Sequence, residues 1–313
     1  MAESPSREQF LGCLIGQAVG DALGAPYEGL PADMIDAMGP AERIVEHPSG
    51  RTLFYTDDTQ MAIGVAETLV RCGEIDEDAL AARFVANFDP GRGYGYGARR
   101  LIKVMAEGGP WRRLREEVFP GGSMGNGAAM RAAPVGLMFA DDLDRVANEA
   151  EKSALPTHTH PIGIDGARMV ALAVALAVRT PQFERRAFFD ELRRRAKTEE
   201  FQWQLSVAAQ LGPDDSLAGF GTTLLAHRSV VTAIGCFAAS PDDYPTVIRR
   251  AIGLGHDTDT LAAMAGAISG AHLGLWAIPS RLVRSLERGP KGRSYLIDLA
   301  EQLYDAYRRR KKE

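Results

Sequence analysis

The chain has 313 residues, 45% hydrophobic and 25% charged, enough to bury a substantial core. Its formal net charge of −5 argues against a general binder of phosphate backbones, which relies on excess lysine and arginine, while leaving room for local basic patches. Cys13, Cys72 and Cys236 stand far apart with no CxxC pair, so neither a disulfide framework nor a thiolate metal site is signalled, and a reducing cytoplasm is expected.

At the N-terminus, Glu3, Arg7 and Glu8 interrupt the chain before an apolar signal region can begin, so translocation is not expected. Ser6-Arg7-Glu8-Gln9 reads instead as a helix capping box. The helix that follows places Gly12, Gly16, Gly20 and Gly24 four apart, a strip along which another helix backbone can approach closely. Tyr55-Thr56-Asp57-Asp58-Thr59 then opens a second helix through Met61 to Ala66. Glycine-rich loops follow at Gly91–Gly97 and Gly121–Gly127, and Thr157-His158-Thr159-His160-Pro161 forms a turn.

Met169–Val178 repeats the small-residue face, and the more charged stretch from about Arg185 to Phe220 reads as a peripheral helix pair and loop. Gly255-His256-Asp257-Thr258-Asp259-Thr260 opens a late helix from Leu261 to Gly266, with Gly266, Gly270 and Gly274 again four apart. The uncharged run Thr260–Ser280 has the length of a membrane span. It is built from alanine and glycine with His272 and Pro279, so a helix buried in protein is expected and no membrane partner. The Arg308–Lys312 run reads as a solvated helix end favoured by the helix dipole rather than as a nucleic-acid site. No run of alternating β-branched residues appears, and no linker divides the chain. An all-α, compact multi-helix bundle in a single domain over 1–313 is the expected fold.

The two Asp/Thr clusters carry the chemistry. Each supplies carboxylates and hydroxyls, hard oxygen donors suited to Mg²⁺ or Mn²⁺ rather than to zinc or copper. The alternative is simple N-capping, but one cap needs one residue, and capping leaves adjacent carboxylates that repel one another unless a cation lies between them. The loop Gly121 to Gly127 runs into Ala128-Ala129-Met130-Arg131, where free amides with Ser123 and Asn126 suit either phosphate oxygens or a tight inter-helix connection.

Taken in order, Gly20-Asp21-Ala22-Leu23-Gly24-Ala25-Pro26-Tyr27-Glu28, Thr56-Asp57-Asp58-Thr59, Arg92-Gly93-Tyr94-Gly95, Gly122-Ser123-Met124-Gly125-Asn126-Gly127-Ala128-Ala129-Met130-Arg131, Thr157-His158 and Asp257-Thr258-Asp259-Thr260 resemble the ADP-ribosylglycohydrolases over almost the whole chain. Within that family the glycine loops and Val231-Thr232-Ala233-Ile234 look most like the ADP-ribosylhydrolase 3 branch. The resemblance implies an all-α fold with a binuclear Mg²⁺ or Mn²⁺ cleft that binds ADP-ribose and cleaves at the ribose anomeric carbon. It implies Thr56, Asp57, Asp58, Asp257, Asp259 and Thr260 as metal ligands and Glu28, Asp58 and Asp257 as catalytic. On the substrate side it implies Gly93, Tyr94, Gly122, Ser123, Met124, Gly125, Asn126 and His158.

Two positions depart from that branch. Met124 stands where the branch often has an aromatic ring, with Phe119 near enough to replace the stacking. His256 replaces a smaller residue and is expected to line the pocket or support a ligand. Glu28 is expected either to relay a proton or to gate the cleft. The expected activity is hydrolysis of O-linked ADP-ribose on serine, of O-acetyl-ADP-ribose or of poly-ADP-ribose, by a cytoplasmic monomer without sequence-specific nucleic-acid binding. The alternatives are hydrolysis of arginine-linked ADP-ribose, a non-catalytic ADP-ribose-binding protein, and, from metal chemistry alone, a two-metal phosphoesterase.

Overall fold

In the computed structural model, which describes residues 4–39, 42–46, 51–180 and 182–312, Ser6 starts the first helix, Arg7–Gly24. Its hydroxyl accepts from the Gln9 amide while the Gln9 side chain accepts from the Ser6 amide, so both halves of the capping box form. The glycine strip then meets the late helix, Thr258–Leu273, in the most extensive helix pair of the molecule. A Cβ on Gly12 would lie 2.2 Å from the Gly270 carbonyl oxygen, and one on Gly20 2.1 Å from that of Ala262. Only glycine lets the two backbones touch there. The Tyr244 hydroxyl donates to the Gly16 carbonyl at 2.7 Å and pins a third helix, Tyr244–Gly253, to this pair.

Around the pair pack the helices Pro161–Arg179 and Ala226–Ala239, while Arg293–Arg310 covers Arg7–Gly24 and Asp57–Cys72 from the other side. Pro161–Arg179 is long and apolar enough to cross a membrane, but most of it is buried within the protein. The expected all-α class holds: among the described residues there is no β-strand, only the isolated bridges Pro31–Gly255, Leu53–Leu286 and Gly125–Leu225. Each bridge fixes a segment that leads into candidate site residues.

The charged stretch after 185 forms the expected peripheral pair, Arg185–Arg195 and Glu199–Ala208, followed by the 3₁₀ turn Ala218–Phe220. Arg308–Arg310 is the last turn of the C-terminal helix, and Arg310 is ion-paired with Asp141. All three cysteines are free thiols.

Candidate active site

Thr56 caps the Asp57–Cys72 helix: its hydroxyl accepts from the Asp58 amide at 3.3 Å and donates to Asp58 Oδ2 at 3.2 Å. Capping therefore occupies the threonine and leaves both aspartates of the first cluster for other work. The late helix begins differently. Asp257 stands at its N-cap position, yet its carboxylate makes no capping bond and accepts from Asn126 Nδ2 at 2.5 Å instead. Asn126 also donates to Ser229 Oγ at 3.0 Å, so the second glycine loop, the late cluster and the Ala226–Ala239 helix share one junction.

The two carboxylate clusters, almost two hundred positions apart in sequence, come together. After burial, the largest influence raising the Asp58 carboxyl far above the ordinary range is the negative charge of Asp259, followed by Asp21, Asp57 and Asp257. Burial first, and then Asp257 with Asp21 and Glu28, pushes Asp259 up to about 9. Burial and Asp21 push Asp57 up to about 7, and burial pushes Asp257 up to about 6. Thr260 lies at the same place, with its hydroxyl on Asp257 and its amide donating to Asp259 Oδ1 at 2.8 Å.

Glu28 sits on the exposed rim. Its charge reaches Asp57, Asp257 and Asp259. Its neighbours are fastened to the late cluster, since the Gly29 amide donates to the His256 carbonyl and the His256 amide to the Leu30 carbonyl, both at 2.7 Å. His256 adopts φ +64°, an unusual left-handed turn for a residue with a side chain, and its imidazole is exposed.

Asp21 is a structural residue of the site that motif reading leaves without a role. It is fully buried, and its carboxylate accepts from the amides of Thr56 at 2.9 Å and Thr59 at 3.0 Å and from the Thr59 hydroxyl at 2.5 Å. It thus clamps the first turn of the Asp57–Cys72 helix to the first helix. The available signal was an acidic residue set among glycines on an otherwise apolar helix.

The second glycine loop is anchored on both sides. The Asn126 amide donates to the Leu224 carbonyl at 2.9 Å and the Ala226 amide to the Met124 carbonyl at 3.0 Å. Gly122 has φ +88°, and a Cβ there would lie 2.2 Å from the His160 nitrogen, so this position demands glycine. Ser123 Oγ accepts from the Gly125 amide at 3.2 Å. His158 lies against Gly125 and Gly127, buried, with its pKa lowered to about 3 first by burial and then by Arg131, so its ring is neutral at pH 7. Arg131 is itself buried. It donates to the carbonyls of Gly127 and Ser153 and to Thr157 Oγ1, and it lies 4.6 Å from the Phe84 ring centre. His160 does not join His158 but caps the Pro161–Arg179 helix by accepting from the Ile162 amide.

Gly93 lies beside Asp57, where a Cβ would be 3.7 Å from Oδ1. Tyr94 is buried, with its hydroxyl donating to Gln60 at 2.8 Å and its ring edge-on to Phe88. The Phe119 ring rests on Gly97, where a Cβ would lie 2.1 Å from it. Phe119 therefore belongs to the contact between the helices Tyr96–Ala106 and Trp111–Val118.

A divalent cation fits the chemistry of this donor set. Asp58 Oδ1 is buried without a hydrogen-bond partner, and the surrounding groups are carboxylate and hydroxyl oxygens. Among the described residues no three acidic, histidine or cysteine side chains are arranged to hold a metal ion, so the fit is one of donor type and charge alone.

The sequence model of the ADP-ribosylglycohydrolase family matches residues 2–313. The chain belongs to the ADP-ribosylglycohydrolase family. It is 31% identical to ADP-ribosylhydrolase ARH3 of Danio rerio over 96% of this chain and 90% of that protein. It is 33% identical to ADP-ribosylhydrolase ARH3 of Gallus gallus over 90% of both. A solved structure titled ADP-ribosylglycohydrolase-related protein complex superposes with a TM-score of 0.73 at 27% identity, covering 96% of this chain and 98% of the other. This ADP-ribosylglycohydrolase is an ADP-ribosyl hydrolase, an enzyme of glycosidic-bond cleavage whose substrates contain ADP-ribose.

Proposed function

We propose that this hydrolase uses two Mg²⁺ or Mn²⁺ ions to release ADP-ribose from O-linked acceptors, with serine-linked ADP-ribose or O-acetyl-ADP-ribose as the first substrates to try. One observation carries the metal reading: Asp58 is raised by burial and by the charges of Asp259, Asp57 and Asp257, in one carboxylate cluster with Glu28 on its rim. A cleft of that charge repels a diphosphate, so binding ADP-ribose there calls for cations. Thr56, Asp57, Asp58, Asp257, Asp259 and Thr260 would hold them. When bound, they would supply Lewis acidity for the ribose hydroxyls and for water.

The remaining work falls to the chain. Hydrolysis breaks the bond between the anomeric carbon and the acceptor oxygen and forms one to a water oxygen, through an oxocarbenium-like state. One proton leaves the water and one reaches the departing oxygen. Glu28, exposed and within reach of the carboxylate cluster's charge, would carry that proton or gate the acceptor's approach. Asn126 orients Asp257. The Ser123–Asn126 backbone and the neutral His158 receive the diphosphate and the adjoining ribose without adding negative charge. Asp21 holds the Thr56–Asp58 turn in place.

A second reading, cleavage of arginine-linked ADP-ribose, is favoured by Glu28 itself, because an exposed carboxylate at the rim suits a departing guanidinium. ADP-ribose release from serine- and arginine-modified peptides, each with Mg²⁺ and with chelator, separates the possibilities. Equal turnover in both conditions ends the metal reading. AMP in place of ADP-ribose as product moves the chemistry to the diphosphate.

A further inference from the structure

A cavity of about 460 Å³, within the range of small-molecule sites, is lined by Arg51, Thr52, Arg281, Arg284, Ser285, Leu286 and Arg288. Among the described residues, four arginines and no acidic residue line this space, in a chain whose net charge is −5. The arginines elsewhere are commonly paired: Arg92 with Glu287, Arg112 with Asp78, Arg168 with Glu151 and Arg310 with Asp141. Arg281, Arg284 and Arg288 have no carboxylate partner among the described residues. Arg281 donates to the Val45 carbonyl and Arg284 to Ser280 Oγ. The acid closest in sequence, Glu287, is turned away, buried and forked by Arg92 at 2.5 and 2.8 Å.

The walls are fixed. The Leu53 amide donates to the Ser285 carbonyl at 2.8 Å and the Glu287 amide to the Leu53 carbonyl at 3.0 Å, so the 51–55 segment and the 285–287 turn run side by side. The Arg293 side chain donates to the Arg284 carbonyl at 3.0 Å. Arg51 and Thr52 also line a second cavity, whose opposite wall is Ala22, Leu23, Ala25, Pro26 and Tyr27, the residues that lead to Glu28. The two cavities thus share Arg51 and Thr52.

We propose that this arginine-lined cavity is a second anion site, which takes a phosphate or diphosphate group lying beyond the catalytic cleft. Arginines contributed by two segments suit the planar, multidentate recognition of phosphate oxygens. The same chemistry could come from a further diphosphate of an extended ADP-ribose chain or from a free nucleotide. The site itself does not depend on which linkage the cleft cuts.

The test is calorimetric titration of the full chain with inorganic pyrophosphate in chelator, where the uncompensated carboxylates of the cleft disfavour the probe there. Wild type is expected to bind one equivalent. Arg284→Gln/Arg288→Gln, which alters only exposed side chains, should bind at least about tenfold more weakly, as expected when two charge-assisted contacts are lost. Its melting temperature and its turnover of a singly ADP-ribosylated peptide should match wild type. Absent binding to wild type, or equal binding by wild type and variant, overturns the proposal whether or not the enzyme turns over. A second arm, with Mg²⁺, compares a dimer of ADP-ribose with the monomer. Tighter binding of the dimer by wild type but not by the variant identifies a chain diphosphate as the source; equal binding of both, with pyrophosphate binding retained, identifies a free anion.

Discussion

Along the Arg7–Gly24 and Thr258–Leu273 helices, the half around Gly12 and Gly270 is dry and backbone touches backbone. The half around Asp21 and Asp259 instead gathers carboxylates from several segments. The same two helices make both. Close approach continues to the polar end of the seam, where a Cβ on Gly24 would lie 2.6 Å from the Asp259 Cα, and Asp259 is the charge that acts most strongly on Asp58. The seam stabilises by packing, and the polar end destabilises by holding like charges in a poor solvent. Packing at one end thus sustains a charge cluster at the other that would not form alone.

The largest effect is expected at the polar end. Asp259→Asn keeps the shape of the side chain but removes the charge of a proposed ligand, and it should lower kcat/KM by more than about 100-fold, beyond the loss typical of supporting residues around a metal. In chelator at pH 8 the same variant should unfold at a higher temperature than wild type, because the fold no longer holds buried a carboxyl that ionises freely in the unfolded chain. A variant that is slower and also less stable in chelator would break the contrast between the two ends.

At the seam, Gly20→Ala should cost about 2 kcal/mol in urea denaturation, the range of an overpacked core. The sign is informative, since alanine in a free helix would stabilise by about 1 kcal/mol over glycine. A stabilised Gly20→Ala protein would mean that the backbones do not touch.

Next in size is the pH dependence. Asp257, Asp57 and Asp259 are raised from 3.8 to about 6, about 7 and about 9, so the folded protein binds protons more tightly than the unfolded chain. In chelator, stability is therefore greatest at the acid end of that window and falls as pH rises from about 4 toward 9. Melting temperature at pH 8 should lie about 3–6 °C below that at pH 5.5, and Mg²⁺ should narrow the gap. A melting temperature that rises with pH in chelator would contradict the buried cluster.

The smallest effect is expected at the junction. Asn126→Ala removes the donor to Asp257 and one contact to Ser229, and should raise KM about fivefold with a smaller change in kcat, as for loss of one hydrogen bond to a charged group. Steady-state kinetics on the serine-modified peptide measures it; a fall in kcat alone would place Asn126 in the bond-breaking step instead.

Much of this arrangement was legible in the sequence because it is local. The Ser6 capping box, the glycines at a spacing of four and both Asp/Thr helix starts depend on neighbours within one turn, and each appears where periodicity puts it. What stayed hidden depends on partners distant in sequence. Asp21 finds Thr56 and Thr59, Arg92 forks Glu287 while lying 4.0 Å over the Tyr55 ring, and Arg131 is enclosed by carbonyls. For Tyr94 and Phe119, too, the partners lie outside the local segment: the fold engages the Tyr94 hydroxyl with Gln60 and lays the Phe119 ring on Gly97. His256 adds a backbone turn at φ +64° that no side-chain preference announces.

The central claim is that the early and late carboxylates together hold divalent cations. Titration of the chelator-stripped protein with Mn²⁺, following free ion by electron paramagnetic resonance, tests it most directly. Wild type is predicted to take up two equivalents and Asp58→Asn fewer; no saturable uptake by wild type, or the same uptake by both proteins, would contradict the account.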